Sequence, residues 1–257
     1  MRKILSAALC LIMMSVTAGA ININKAMLEH NGQVTLYDGD KIQDAVNASS
    51  DGDIIYLTLG TFKPFNVTKK ITIRGVGETS IIDGNIKISI PGSPKLTNPV
   101  LEALAVAGTV TVVAQVDDMI LRKCKIGNFV INAQVDGAVL DRCYITNTLT
   151  LSSFIKGMTV VNTKLYNITA NSGATQNTTF VNCNICNLNP ANFSGTIINS
   201  VIRYSSGDIN STVLLNTLLN SYVRIGSSSV TQGVYWISNS DLDNFWPNGD
   251  CPWQGVT

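Results

Sequence analysis

Hydrophobic positions recur along most of the chain with a period near 20 residues. In each repeat, one apolar residue stands three places before, and another two places after, a small residue that is usually Cys, Thr or Ser. A period near 20 with slight variation is typical of solenoids, in which each repeat forms one coil and stacks on the next. We call the small residues the anchor column, which comprises Leu104, Cys124, Cys143, Thr163, Cys183, Ser200, Thr217 and Ser240.

The two apolar positions of each repeat predict two short strands whose side chains point into a shared core. Three places before the anchor stand Leu101, Leu121, Leu140, Val160, Phe180, Ile197, Leu214 and Ile237. Two places after it stand Val106, Ile126, Ile145, Leu165, Ile185, Ile202, Leu219 and Leu242.

Polar residues beside the anchors predict the corners of the coil. Asn adopts the left-handed backbone region more readily than most residues, so a column rich in Asn favours a tight corner between two strands. The position before the anchor holds Lys123, Arg142, Asn162, Asn182, Asn199, Asn216 and Asn239. Four places after the anchor, Asn128, Asn147, Asn167 and Asn187 predict a second turn column.

The segment before the repeats, "DKIQDAVNASSDGDIIYLTLGTFKPFNVTKKITIRGVGETSIIDG", predicts a short helix followed by the first strands. Asp40 is positioned to cap the N-terminus of a helix whose apolar face is Ile42, Ala45 and Val46. This opening resembles that of the pectate-lyase-like superfamily (pectin lyase fold). The resemblance implies an all-β fold, a right-handed parallel β-helix solenoid over residues 40–242 with a short N-terminal capping helix.

The two ends of the chain differ from the repeats. Residues 1–20 combine Arg2 and Lys3, an apolar run and Ala18-Gly19-Ala20, a pattern typical of a signal peptide. We therefore expect an exported protein, whether secreted, periplasmic or on the cell surface, without a membrane span in the mature chain. Residues 21–39 form an N-terminal lead-in, and residues 243–257 form a C-terminal aromatic segment.

The charge balance argues against nucleic acid as a partner. Of 18 basic residues, Arg2 and Lys3 fall in the predicted signal peptide, which leaves 16 against 17 acidic residues. Binding to phosphates requires a basic surplus, which this chain lacks.

The cysteines fit packing better than a disulfide framework. Cys124, Cys143 and Cys183 alternate with Thr and Ser in the anchor column, which indicates small buried side chains. Cys186 and Cys251 stand outside the column and are the plausible bonded or reactive pair.

The superfamily resemblance raises two kinds of polysaccharide chemistry. Of the motifs of its polygalacturonase-like branch, only an Asp pair is present, Asp117-Asp118, and the sole histidine, His30, precedes the repeats. Its lyases hold calcium against a uronate with carboxylates, while an Arg or Lys takes a proton. The matching candidates are Glu102, Asp117, Asp118, Arg122, Asp136, Asp141 and Arg142.

These charges have a second interpretation. Glu102, Arg122 and Asp141 occupy the same position on successive coils, so they also fit a ladder of alternating charge that keeps the coils in register. The alternation of sign favours the ladder, because a calcium site needs several converging carboxylates.

Aromatic residues gather near the C-terminus, where they either stack on sugar rings or cover the open edge of the last coil. They are Tyr235, Trp236, Phe245, Trp246 and Trp253.

The sequence thus predicts a secreted or surface-exposed β-helix that binds glycans or displays a surface towards them, without a recognisable catalytic set. The alternative is a calcium-dependent polysaccharide lyase acting on uronate-containing polysaccharide. We expect no cofactor for the first function, and calcium only for the alternative.

Overall fold

A computed structural model describes residues 24–171, 175–189, 193–210, 212–220 and 223–237. Within these residues the chain forms a parallel β-solenoid of about nine turns, with one short α-helix near the N-terminus. The predicted all-β solenoid is therefore confirmed. No helix in these ranges has the length and apolar content needed to cross a lipid bilayer.

Strands of two to eight residues follow one another along the whole described chain. The first part contains β1 (Lys25–His30), β2 (Gln33–Asp38), helix α1 (Ile42–Ala48), β3 (Ile54–Leu57), β4 (Gly60–Phe62), β5 (Phe65–Val67), β6 (Thr72–Arg74), β7 (Ser80–Ile82) and β8 (Ile86–Ile88). The middle contains β9 (Leu101–Glu102), β10 (Ala105–Val112), β11 (Ile120–Arg122), β12 (Lys125–Ile131), β13 (Val135–Asp136), β14 (Val139–Asp141), β15 (Tyr144–Leu151), β16 (Ile155–Lys156), β17 (Thr159–Val161) and β18 (Lys164–Ala170). The last part contains β19 (Thr175–Gln176), β20 (Thr178–Val181), β21 (Asn184–Leu188), β22 (Gly195–Ile198), β23 (Val201–Ser205), β24 (Thr212–Leu215), β25 (Leu218–Asn220), β26 (Val230–Gln232) and β27 (Tyr235–Ile237).

The strands stack into three sheets. Sheet A has the order β2-β1-β3-β6-β9-β11-β14-β17-β20-β22-β24-β26, and sheet B has the main order β27-β25-β23-β21-β18-β15-β12-β10-β7-β4. Strands β5 and β8 extend sheet B beside β10, and sheet C contains β13, β16 and β19. Strands of successive coils pair in parallel, as the stacking of repeats requires.

The inward columns form one continuous core. Ile145 pairs in register with Leu165, Leu165 with Ile185, and Ile185 with Ile202, and all four side chains are fully buried. The column three places before the anchor is equally buried from Leu101 to Leu214. Stacked apolar side chains in register are removed from water together, so these columns provide most of the stabilising burial.

The corner beside the anchor column has the predicted left-handed backbone. Lys123, Arg142, Asn162, Asn182, Asn199 and Asn216 have φ between 47° and 53°, and Ala103 has φ 53°. Four of these six predicted positions are Asn, the non-glycine residue that tolerates this region best.

The second predicted turn column is wrong. Asn128, Asn147, Asn167 and Asn187 lie inside the continuous strands β12, β15, β18 and β21. The register between neighbouring strands shifts at this point, for example between Ile126 and Phe129. The inward phase of each strand therefore changes at the asparagine while the strand continues, as in a β-bulge.

The predicted alignment of the last coil is also wrong. Leu218 pairs with Tyr235 and Leu219 with Trp236, so Val234 occupies the anchor position instead of Ser240. Gly233, with φ 63°, supplies the corner that the sequence pattern predicts at Asn239. In this register the anchor position of the last described coil, Val234, stands 17 residues after Thr217. Asn239, Ser240 and Leu242 lie outside the described residues.

The Cys, Thr and Ser residues of the anchor column from Cys124 to Thr217 are buried hydrogen-bond donors. Each donates to the carbonyl two residues before it: Cys124 Sγ lies 3.2 Å from Arg122 O, Thr163 Oγ1 2.8 Å from Val161 O, and Ser200 Oγ 2.7 Å from Ile198 O. Each of these carbonyls also accepts the backbone N–H of the corner residue in the preceding coil. Cys, Thr and Ser share the column because each is small and carries a donor, and Cys124, Cys143 and Cys183 are buried free thiols.

The lead-in closes the first end of the solenoid. Strands β1 and β2 form an antiparallel hairpin, and β1 pairs antiparallel with β3 at the edge of sheet A. Helix α1 buries Ile42, Ala45 and Val46 in the core, as predicted. Asp40 does not cap it, because Gly39–Lys41 forms a 3₁₀ turn and Lys41 is the N-cap, without a side-chain cap hydrogen bond.

Candidate functional site

Three of the predicted site residues stand side by side on the outer face of sheet A. Arg122 on β11 pairs in register with Glu102 on β9 and with Asp141 on β14. Arg122 Nη1 lies 3.9 Å from Glu102 Oε1, and Arg122 Nε lies 3.2 Å from Asp141 Oδ2. The second contact is an ion pair whose N–H is too poorly aligned for a hydrogen bond.

Two further arginines complete this row. Arg74 Nε donates to Glu102 Oε2 at 2.7 Å, and Arg142 Nη2 lies 2.9 Å from Asp141 Oδ2. The hydrogen bond to Asp141 raises the pKa of Arg142 above its ordinary value. Each carboxylate of the row thus contacts two guanidinium groups, the pattern of a register ladder. We call Arg74, Glu102, Arg122, Asp141 and Arg142 the charge ladder.

The other predicted site residues lie at a different corner. Lys95 Nζ lies 3.0 Å from Asp118 Oδ2, and the N–H of Asp118 donates to the carbonyl of Asp136 at 2.7 Å. Asp118 itself has φ 53° and begins a second left-handed corner that continues through Gly137 and Gly157. Asp117 and Asp136 stand on adjacent coils of this corner, each with one buried Oδ1 that has no hydrogen-bond partner. The structure thus separates Asp117, Asp118 and Asp136 from the charge ladder.

The described residues hold no group of three or more His, Cys, Asp or Glu side chains placed to bind a metal ion. The carboxylates of the charge ladder are neutralised by arginine, and those of the second corner follow the backbone of successive coils. This arrangement holds neighbouring coils in register and does not gather ligands around one point.

A surface that the sequence reasoning missed lies on the outer face of sheet B. Lys125, Tyr144 and Lys164 are in register on β12, β15 and β18. The two ammonium groups lie 6.0 Å and 4.8 Å from the centroid of the Tyr144 ring, within the range of cation–π contact. On the next outward position of β18, Tyr166 is 53% exposed. We call the outward face of β10, β12, β15 and β18 the long-strand face.

A shallow groove of about 220 Å³ opens on the first half of this face. Ala105, Ala107, Gly127 and Thr146 line its floor, and an ion pair between Lys125 Nζ and Glu78 Oε2 at 2.8 Å borders it. Gly127 is required for its shape, because a Cβ there would meet Gly108 O at 2.6 Å. The small floor residues leave a strip on which a flat ligand can lie.

The second half of the long-strand face carries two ranks of hydroxyl and amide side chains. The ranks comprise Thr109 and Thr111 on β10, Asn128 on β12, Thr148 and Thr150 on β15, and Asn167 and Thr169 on β18, and Val130 on β12 interrupts the second rank. Thr169 Oγ1 donates to Thr150 Oγ1 at 3.4 Å, a contact that joins two coils. These side chains are partly exposed and offer donors and acceptors along the solenoid axis.

One signal in the sequence points to this face. The first and third positions after each anchor point outward, and they hold Lys125, Tyr144, Lys164, Thr146 and Tyr166. Three aromatic or cationic side chains in one column, beside small residues in the next, are the pattern that indicates a contact surface.

A second pocket, of about 290 Å³, lies near the first coils. Asp51 and Lys70 line it and form an ion pair with Nζ 3.1 Å from Oδ2, and Lys95 stands beside them. The hydrogen bond from the backbone of Lys70 lowers the pKa of Asp51. The charges of this pocket are engaged with one another or with Asp118.

The aromatic cluster is described only in part. Tyr235 is 64% exposed and Trp236 is 52% exposed, with Trp236 Nε1 donating to Val223 O at 3.2 Å. Trp236 continues the inward column of Leu219 on the last described coil. Phe245, Trp246 and Trp253 lie outside the described residues.

The fold and its outer faces define the chain as a parallel β-solenoid. No protein-family model, curated protein or solved structure matches it.

Proposed function

We propose that the chain is an exported β-solenoid that binds polysaccharide on the long-strand face without cleaving it. The observation that carries this proposal is the face itself, which aligns Lys125, Tyr144 and Lys164 in one column and, further along the strands, Thr109 with Asn128 and Thr148 with Asn167. Side chains repeated at the coil spacing of about 4.8 Å suit a ligand that is itself a linear repeat.

The chemistry of the face fits sugar rings. Tyr144 and Tyr166 present aromatic surface that can stack on the apolar faces of pyranose rings, and phenol hydroxyls bind sugar hydroxyls. The neighbouring Thr and Asn ranks donate and accept hydrogen bonds, as sugar hydroxyls do. Lys164, whose ammonium lies 4.8 Å from the centroid of the Tyr144 ring, would favour acidic sugars, whereas the charge of Lys125 is paired with Glu78.

Binding without cleavage is supported by the ion pairs that engage the carboxylates of the charge ladder. A lyase needs carboxylates open to calcium and a base that can accept a proton. Glu102 and Asp141 are engaged by Arg74, Arg122 and Arg142, so calcium would have to displace those guanidinium groups. The calcium-dependent lyase therefore remains the second candidate, with the charge ladder as its site.

We further infer that the solenoid is a right-handed member of the pectate-lyase-like superfamily. The opening at residues 40–84 supports this assignment, as does the parallel coil pairing. Export is supported by the pattern of residues 1–20, which lie outside the described residues.

Affinity electrophoresis in gels containing pectin, alginate, chitosan or a neutral glucan tests the binding. We expect retardation of the wild type by at least one acidic polysaccharide, and a Tyr144→Ala/Tyr166→Ala variant should migrate as in a gel without polysaccharide. Tyr204→Ala is the matched control, because Tyr204 is 52% exposed on β23 of the same sheet but outside the long-strand face. Equal loss in both variants, or no retardation of the wild type, would contradict the proposal.

Absorbance of unsaturated uronate in the presence of calcium distinguishes the second candidate. A binding protein gives none. Activity lost in Arg122→Ala and Asp141→Ala, and kept in Tyr144→Ala, would establish the lyase instead.

A further inference from the structure

Strand β2 lies at the end of sheet A. It pairs antiparallel with β1 along its whole length, and no other strand of the described residues pairs with its second edge. Five of its six residues are exposed. An open strand edge presents a row of N–H and carbonyl groups that can pair with another chain. Sheet A therefore ends in a free edge at the first end of the solenoid.

The hairpin turn shows which residues direct their backbone groups away from this edge. Asn31 and Gly32 have φ 49° and 77°, as in a two-residue type I′ turn. The flanking residues, His30 and Gln33, then form a hydrogen-bonded pair. Hydrogen-bonded and non-hydrogen-bonded pairs alternate along antiparallel strands. Gln33 and every second residue after it therefore direct their backbone groups to β1.

The backbone groups of Val34, Leu36 and Asp38 consequently point to the free edge. The pairing of β1 with β3 agrees, since the N–H of Thr58 donates to the carbonyl of Lys25 at 3.1 Å. Because Lys25 directs this carbonyl to β3, it forms a non-hydrogen-bonded pair with Asp38, its neighbour on β2. Two independent contacts thus assign the same three residues to the free edge.

The side chains of β2 do not protect this edge. Proteins usually block an open edge with lysine, proline or a bulge, and β2 has none of these. Val34 and Leu36 are 50% and 54% exposed and lie on one face of the strand. Asp38, the only charged residue of β2, forms an ion pair with Lys25 of the same chain. The strand is therefore regular, largely apolar on one face and electrically balanced.

We propose that β2 pairs antiparallel with β2 of a second copy, so that two solenoids join end to end through sheet A. Addition of a strand to a free edge is a common mode of recognition, because main-chain hydrogen bonds provide the contact. Pairing of a strand with itself about a two-fold axis uses both free edges, so the assembly closes as a dimer. This inference does not depend on the proposed binding of polysaccharide.

The outward-pointing residues select the register of this pairing. With the two-fold axis at Leu36, Leu36 faces itself and Val34 faces Asp38, so all three residues form hydrogen-bonded pairs. With the axis at Thr35, Asp38 would face Gly32, which belongs to the turn. The axis at Leu36 therefore gives the longest pairing within the strand.

The side chains fit the same register. Leu36 lies opposite Met27 on β1, so the row at the axis would hold four apolar side chains, two from each copy. Asp38 would have Lys25 of its own chain on one side and Val34 of the second copy on the other. No like charges would face each other across the junction, and this complementarity favours a second copy of the chain as the occupant of the edge.

Sedimentation equilibrium of the purified protein, at loading concentrations up to about 100 μM, tests the proposal. We expect a monomer–dimer equilibrium that Leu36→Asp weakens at least about tenfold, because two carboxylates would face each other at the axis. Val76→Asp is the matched control and should dimerise as the wild type does, since Val76 is 53% exposed in the loop between β6 and β7. A monomeric wild type, or a dimer that Leu36→Asp leaves unchanged, would overturn the proposal.

A mixing experiment tests the register. Leu36→Lys should also be monomeric, because the residue at position 36 faces itself across the axis. An equimolar mixture of Leu36→Asp and Leu36→Lys should restore association as a heterodimer, which native mass spectrometry identifies by its mass. If the mixture contains only the two monomers, the strands do not pair about Leu36 and the proposal is wrong.

Proline variants test the direction of the backbone groups. Leu36→Pro removes an N–H from the free edge and leaves the bonds to β1, so it should abolish the dimer and melt close to the wild type. Thr35→Pro removes a bond to β1 and should melt at a clearly lower temperature. An equal loss of stability in both variants would show that Leu36 bonds to β1, which would contradict the free edge described above.

Discussion

The backbone N–H of Cys143 donates to the hydroxyl of Thr163, one coil away, at 3.1 Å. The same hydroxyl donates to the carbonyl of Val161 in its own coil at 2.8 Å. Ser200 repeats the arrangement, accepting from the N–H of Cys183 at 3.0 Å. Each of these two hydroxyls thus joins two coils and also donates to the carbonyl beside its own corner.

Replacing Thr163 by Val should leave the backbone N–H of Cys143 without its partner, whereas the carbonyl of Val161 keeps the backbone N–H of Arg142. We expect a loss of about 1 to 3 kcal/mol in the free energy of unfolding, measured by urea denaturation. Hydrogen exchange at the Cys143 amide should accelerate in Thr163→Val and stay slow in Thr163→Ser, which keeps the hydroxyl. Slow exchange in both variants would show that the bridge is not needed.

The Cys124 thiol should make stability depend on pH. Burial raises its pKa well above the ordinary value, and a hydrogen bond with Cys143 adds to the effect. The folded state therefore favours the neutral thiol, so this contribution is complete below about pH 8.5, the ordinary thiol pKa, and is lost as the pH rises above it. Between pH 8.5 and 10 the free energy of unfolding should fall more steeply in the wild type than in Cys124→Ala, by up to about 1.4 kcal/mol per pH unit.

The same burial should protect the thiol from modification. Cys124, Cys143 and Cys183 should react with thiol reagents only after denaturation, since all three are buried and reagents cannot reach them in the folded state. Rapid labelling of any of the three in the native protein would contradict their place in the core.

Truncating one residue of the inward column should be costly. Ile185 is fully buried between Leu165 and Ile202, so Ile185→Ala should lower the free energy of unfolding by about 2 to 5 kcal/mol through lost burial and a cavity. Tyr204→Ala, an exposed truncation one coil further, should cost less than about 0.5 kcal/mol. Melting of Ile185→Ala within a degree or two of the wild type would show that the column is not packed as described.

The charge ladder should contribute little and lose its effect in salt. Arg122 is partly exposed, and Glu102 and Asp141 retain Arg74 and Arg142 when it is removed. Arg122→Ala should therefore cost no more than about 1 kcal/mol in dilute buffer and less in 1 M NaCl. Arg122→Glu should cost more, because it puts three carboxylates in register. If both variants matched the wild type at low salt, the ladder would have no role in register.

A corner that strains its residue offers a stabilising change. Lys123 has φ 52° and an exposed side chain, so Lys123→Gly should relieve a left-handed backbone that costs an L-residue roughly 1 to 2 kcal/mol. After the entropic cost of glycine, we expect a net gain of about 0.5 kcal/mol in thermal or urea unfolding. Ala105→Gly, in an extended strand, is the control and should be destabilising.

The coil could be predicted from the sequence because its signals are local. The apolar columns through Ile185, and the Asn corners such as Asn182, repeat at a fixed distance from one anchor and need no knowledge of neighbouring coils. Ser80 is buried in the anchor column but could not be aligned with it from the sequence. An insertion before Leu104 makes the coil between Ser80 and Leu104 longer than the other coils.

The wrong alignment concerns the last described coil, where a later segment resembles the repeat. The missed surface is one in which strand pairing decides which residues are neighbours. "ISNSDL" at residues 237–242 resembles "IINSVI" at 197–202, but the corner of the last coil is made by Gly233. The inward position of this coil holds Trp236, and no described coil follows to cover it. The apolar pattern of the repeat is therefore weaker there. The long-strand face was missed because the adjacency of Tyr144 and Lys164 depends on strand pairing, which shifts at each bulge.

The hydroxyl that links Thr163 to Cys143 also makes its coil an exchangeable unit. The coils of Thr163 and Ser200 donate to their own corner carbonyl and offer the same acceptor to the coil before them, so these bonds do not depend on the place of the coil in the stack. Gain or loss of one whole repeat would thus lengthen or shorten the open face by about 4.8 Å and leave the remaining contacts unchanged. In such a molecule, the length of polymer that can be held is counted in repeats, and a lineage can adjust it by duplication without redesigning a core.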